Sequence, residues 1–139
     1  MARDVFLDSS GLYALADRRD PARQAAQRCV SALLKSGARL VLTDYVVDEA
    51  ATLAKARAGG YGALRLLEIV DRSEAIRLVL IGEERFEATK TFFRQHADHG
   101  YSFTDCSSFI VMRELEIAAA LTTDQHFSEA GFRALLRSD

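Results

Sequence analysis

Val5-Phe6-Leu7-Asp8-Ser9-Ser10-Gly11 opens on a short apolar run, closes it with an acid and follows the acid with small polar residues. An apolar run of that length bounded by turn formers marks a buried strand. From there strand and helix signals alternate to the end of the chain. Leu12 to Ala16 is a brief helix, and Pro21, suited to a first helical turn, opens a longer one through about Lys35, ended by Gly37. Arg39 to Leu42 is a second strand. Asp44 is placed as the N-cap of a third helix, Tyr45 to Ala58, stopped by Gly59-Gly60, and Tyr61 to about Arg72 is a fourth. Ile76 to Ile81 gives the third strand, Glu83 to about His96 a fifth helix and Ala97 to Gly100 a polar loop. Thr104, as N-cap, begins a helix to Leu115 that is apolar on most faces. Ile117 to Leu121 is a strand, and Phe132 to Leu136 a last strand after a turn at Gly131.

Strands separated by helices imply right-handed βαβ crossovers, and hence a mostly parallel sheet covered on both faces. The expected fold is α/β, a three-layer α/β/α sandwich around a sheet of about five strands. With 139 residues, 49% of them apolar, the chain has the length and composition of one domain, expected over residues 1–139. No repeat or low-complexity linker interrupts it.

The longest wholly apolar runs are a handful of residues, far short of a membrane span, and the N-terminus enters a strand without the layout of a signal peptide. A cytoplasmic protein with no membrane partner is expected. The two cysteines, Cys29 and Cys106, lack the spacing of a zinc knuckle or a disulfide framework, and both are expected as reduced core residues. The net charge of −2 excludes a strongly basic surface that binds nucleic acid indiscriminately. Setting aside four acids considered below leaves 18 basic against 16 acidic residues, a balance that tolerates a phosphate backbone.

Those four acids stand at strand ends or on the adjoining helices. Asp8 closes the first strand, Glu49 follows Tyr45-Val46-Val47, Asp105 lies in the first turn of a buried helix, and Asp124 ends Leu121-Thr122-Thr123. In parallel sheets, sites form outside the carboxyl ends of the strands. Carboxylates that meet there repel unless a cation holds them, and a divalent metal is the simplest cation. Each acid also has an ordinary explanation. Asp8 fits a helix cap, Asp105 a macrodipole-stabilised first turn, and Asp124 a turn. Glu49 and its neighbour Asp48 both lie towards the polar side of the stripe Val46, Val47, Ala50, Ala51, Leu53 and Ala54, so periodicity does not choose between them.

Other chemistries fit less well. His96, His99 and His126 allow a histidine-based ribonuclease or a transition-metal site, but sit in polar surroundings. No Walker-type loop occurs, and Asp8-Ser9-Ser10 lacks the second aspartate of a haloacid-dehalogenase-like phosphatase. A receiver-like domain would end its central strand in the phosphoacceptor aspartate, whereas Ile76 to Ile81 runs into Gly82-Glu83.

Val-Phe-Leu-Asp-Ser-Ser-Gly at the N-terminus, Thr43 to Leu53, Ser102 to Phe109 and Leu-Thr-Thr-Asp-Gln-His-Phe together resemble PIN domains, in order and over nearly the whole chain. The likeness is strongest to the VapC toxins of toxin–antitoxin pairs. It implies an endoribonuclease dependent on Mg2+ (or Mn2+) whose catalytic and metal-binding acids are Asp8, Glu49, Asp105 and Asp124, with Glu49 chosen over Asp48. It also implies supporting hydroxyls at Ser9 and Thr104, an RNA substrate, a homodimer and a cognate VapB-like antitoxin reaching the acids along a groove. Leu12, Tyr13 and Tyr45 are candidates to line that groove. Asp8 and Asp105 are expected as principal ligands, Asp124 as a second-site or water-mediated ligand, and Glu49 as a ligand or water-orienting base. The alternative is a catalytically inactive PIN-like module that binds RNA or protein; such a module would be expected to have lost an acid of the quartet, and none is missing here.

Overall fold

The computed structural model describes residues 3–138. Five strands, β1 (Val5–Leu7), β2 (Leu40–Thr43), β3 (Ile76–Val79), β4 (Ala119–Leu121) and β5 (Arg133–Ala134), form one sheet in the order β3-β2-β1-β4-β5. Every neighbouring pair is parallel. Six helices connect them: α1 (Ser9–Ala16), α2 (Arg23–Lys35), α3 (Asp44–Arg72), α4 (Gly82–Gln95), α5 (Phe103–Glu114) and α6 (Gln125–Glu129). The chain builds outward from β1 to β3 and then returns to add β4 and β5 on the far side. Right-handed crossovers therefore put α1 to α3 on one face and α4 to α6 on the other. The expected three-layer sandwich is the one observed.

Burial follows this layering. Phe6, Leu7, Val41, Leu42, Ala120 and Leu121 of the central strands are fully enclosed. Phe109 of α5 stands edge-on to Phe127 of α6, with ring centroids 5.0 Å apart, and Phe127 reaches Phe6 beneath them. Cys106 is buried as expected, whereas Cys29 is only half-buried; both are free.

Several element ends differ from the expectation, each for a local reason. The turn carrying Pro21 precedes α2, with the Asp20 side chain accepting from Ala22 N at 2.8 Å, so the helix begins at Arg23. Thr43, not Asp44, caps α3 by accepting from Val46 N, while Asp44 accepts from Ile81 N across to the end of β3. Gly59, at φ 73° and ψ −176°, breaks α3 in two, as the paired glycines predicted. Ser102, not Thr104, caps α5 in a reciprocal capping box with Asp105. Ile117 is taken up in closing that helix, donating to Met112 O after Glu116 enters the left-handed region at φ 56°, so β4 starts only at Ala119. The stretch after Asp124 was expected as a turn and is instead α6, anchored by Phe127 at zero exposure.

Candidate metal centre

β1 lies at the middle of the sheet, and the connections leaving β1 and β4 depart to opposite faces. That divergence opens a crevice at the carboxyl ends of these two strands, where ligands bind in open α/β sheets. Asp8 follows β1, and Thr122 and Asp124 follow β4. Glu49 comes from the second turn of α3, which begins where β2 ends, and Asp105 from the first turn of α5. The four carboxylates sense one another's charge: Asp8 is repelled by Asp105 and Glu49, and Asp105 by Asp124 and Glu49. All four expected acids are brought to one place.

Asp8 is 3% exposed, and burial, reinforced by Asp105 and Glu49, pushes its pKa up to about 6 against the pull of the Thr122 hydroxyl and the Ser9 amide. Asp105 is 6% exposed and is also raised, first by burial and then by Asp124 and Glu49, with the Ser102 amide and His126 opposing. In each carboxylate the side chain's neighbours engage one oxygen. Asp8 Oδ2 accepts from Thr122 Oγ1 at 2.8 Å and from Ser10 Oγ at 3.1 Å. Glu49 Oε1 accepts from Ser9 Oγ at 2.5 Å. Asp105 Oδ2 accepts from Ser102 N at 3.0 Å, and Asp124 Oδ1 from His126 N at 2.9 Å. Apart from the His126 ring beside Asp105 and Asp124, the acids are thus oriented by neutral donors, with no lysine or arginine paired to them among the described residues.

The part of Thr122 in this arrangement was not foreseen, that of Thr104 departs from expectation, and His126, weighed only as a rival chemistry, joins the acids. Thr122 and Ser10 hold Asp8, and their hydroxyls lie 3.1 Å apart. Thr122 also accepts from Asp124 N, joining two of the acids through one hydroxyl. Thr104, expected to supply such a hydroxyl, hydrogen-bonds none of the acids; its carbonyl accepts from Ser107 and Ser108 instead. His126 is not a surface histidine: its Nδ1 lies 3.1 Å from Asp124 Oδ1 and 3.4 Å from Asp105 Oδ2. Asp124 and His126 being two apart was the only local signal, and it became informative only once α5 was known to pack beside α6. Asp48 is exposed while Glu49 turns inward to Ser9.

The donor set fits a divalent cation. One oxygen each from Asp105 and Asp124 and a ring nitrogen of His126 lie within 4.8 Å of one another. Among the described residues the other two histidines take no part in this site. His96 Nδ1 is engaged with Phe92 O and His99 Nδ1 with Asp98. Burial pushes the Cys106 thiol up to about 11, which leaves it un-ionised beside Asp105. A cavity of about 1090 Å³ lies at the opposite, amino edge of the sheet, against Val5, Arg39 and Ile117, and takes in none of the acids.

A parallel α/β/α sheet with carboxylates gathered at its switch point defines a class of hydrolase site, and the chain belongs to the PIN domain family, whose pattern matches residues 5–133. It is similar to the 23S rRNA-specific endonuclease VapC20 of two Mycobacterium tuberculosis strains, at 32% identity over 129 residues, covering 92% of this chain and 95% of the relative. The crystal structure of M. tuberculosis VapC20, described as a sarcin-ricin loop cleaving toxin, superposes with a TM-score of 0.81 at 28% identity, covering 93% of this chain and 96% of that one. FitAcB from Neisseria gonorrhoeae shares the fold, with a TM-score of 0.64 at 13% identity over 94% of each chain. Within its family this chain is of the VapC type, and its class of activity is that of a nuclease.

Proposed function

We propose that this protein is a divalent-metal-dependent endoribonuclease that hydrolyses RNA phosphodiester bonds as the toxin of a type II toxin–antitoxin pair. The observation that carries the reading is the convergence of Asp8, Glu49, Asp105 and Asp124 at the β1/β4 switch point in a chain related to a named endonuclease. Asp8 and Asp105, the two most buried acids, are the principal ligands; Asp124 completes the site. When bound, Mg2+ or Mn2+ supplies an activated water and neutralises charge on the phosphate. Thr122 and Ser10 fix Asp8, and the Ser102 amide fixes Asp105, so both carboxylates are positioned before substrate arrives. Glu49 is held at Oε1 by Ser9, leaving Oε2 as the atom to orient the attacking water and take its proton.

The protein acts in the cytoplasm as a homodimer restrained by a VapB-like antitoxin; no helix among the described residues is long and apolar enough to cross a membrane. An antitoxin arginine pairing with Asp8 and Asp105 would compete with the metal. The candidates for its groove need correction: Leu12 and Tyr13 are buried, and only Tyr45, stacked on Phe103, is half-exposed. Exposed apolar side chains lie past the α3 break at Tyr61 and Leu64, at the end of β3 at Leu78 and Leu80, and on α4 at Phe86 and Phe93, which pack on Phe103 beside Tyr45; these suit a protein partner.

The test is sequencing of RNA 5′ ends after brief induction of the wild type and of Asp105→Asn. New metal-dependent ends in the wild type alone, with ribosomal RNA the first place to look given VapC20's substrate, support the reading. A folded wild type that yields none, and co-purifies with no small partner, is a binding module instead.

A further inference from the structure

We propose that Nδ1 of His126 is itself a ligand in this centre, beside Asp105 and Asp124, and that it makes the site prefer a divalent transition cation to Mg2+. The inference rests on reading the site as a metal centre. The 3.1 and 3.4 Å separations of Nδ1 from the two carboxylate oxygens match the roughly 3 Å between adjacent ligands of an octahedral ion with bonds of about 2.1 Å. The oxygens concerned accept from the Ser102 and His126 amides, which hold both of them on the side of the ring. Among the described residues His126 makes no side-chain hydrogen bond, unlike His96 and His99.

The ring is also held in that direction by the fold. α6 carries it, with Phe127 buried behind, and Tyr101 meets it edge-on at 5.7 Å. Gly100 makes room for the far side: a Cβ there would stand 2.9 Å from Nε2. Nε2 is therefore packed against the loop before α5 while Nδ1 faces the acids. The chemistry follows from ligand type. Mg2+ selects hard oxygens and holds its waters, whereas imidazole nitrogen strengthens binding of transition ions.

Pulsed EPR of the full-length protein loaded with Mn2+ tests this without any turnover measurement. The wild type should show the nitrogen coupling of a directly bound imidazole, lost in His126→Ala and kept in His99→Ala. In competition titrations His126→Ala should lose Mn2+ affinity on the order of tenfold with a much smaller change for Mg2+. Wild-type Mn2+ bound without nitrogen coupling would overturn the assignment, as would equal losses for both ions, which would make His126 a positioning residue. The wild-type spectrum decides even if His126→Ala fails to fold. Absence of any Mn2+ binding would instead remove the metal centre itself, so the two failures are distinguishable.

Discussion

Thr122 Oγ1 donates to Asp8 Oδ2 at 2.8 Å, joining residues 114 positions apart across the β1–β4 pair. The same hydroxyl accepts from Asp124 N. Thr122→Val keeps the shape and removes both bonds, so it should cost about 1–3 kcal/mol, raise Asp8's pKa further and weaken metal binding. Thr122→Ser should retain most of both properties. Urea midpoints and metal titrations of the two variants check this; equal behaviour of Val and Ser would show that the hydroxyl is idle.

Asp8 also sets a pH dependence whose sign is unusual for an aspartate. Its folded pKa, about 6, lies above the unfolded value near 3.9, so the metal-free folded state binds the proton more tightly than the unfolded chain. The associated stability, about 3 kcal/mol, is fully present below pH ~4 and is lost as pH rises through about 6. In chelator, the wild type should therefore gain stability on acidification relative to Asp8→Asn. A difference between the two that stays constant from pH 4 to 7.5 would contradict the burial argument.

Metal should reverse that balance at neutral pH. Carboxylates about 5 Å apart repel by roughly 3 kcal/mol per pair at an effective dielectric near 20, so a cation that neutralises them stabilises the fold. At a hundred times its dissociation constant the ion should add about 2.7 kcal/mol, seen as a higher melting temperature in the wild type but not in Asp8→Asn/Asp105→Asn. An identical response in both proteins would place the ion elsewhere.

Gly11 brings α1 against the backbone of β4: a Cβ there would stand 2.1 Å from Leu121 O. Gly11→Ala must shift α1 or the strand and should destabilise by about 1–3 kcal/mol or more, with loss of metal affinity because Ser9 and Ser10 move too. Gly60→Ala, with open space around it, should be neutral or stabilising by about 0.5–1 kcal/mol. Denaturant unfolding of the pair separates close packing from a general effect of adding a methyl.

The parallel α/β architecture was legible because apolar runs and helical periods alternate without ambiguity, and Asp8 and Asp124 could be placed because strand ends fix them. The choice of Glu49 over Asp48 was not legible from period: one residue's rotation decides it, and the partner that does so, Ser9, is forty positions away. α6 escaped notice because five residues are too few for a periodic signal. Thr122 escaped, and His126 was weighed only as a rival to the acids, for a different reason. Their roles depend on β4 lying against β1 and on α5 lying beside α6, relationships of tertiary pairing that no local pattern carries.

The pairing of β1 with β4 has a consequence in time as well as space. β1 is made well before β4, and its flank stays open until residues 119–121 have been made. Until then Asp8 has neither Thr122 nor Asp124 near it, and a truncated or still-growing chain holds no complete carboxylate cluster. The fold thereby delays assembly of its own cutting site until β4 and the turn that follows it have been made.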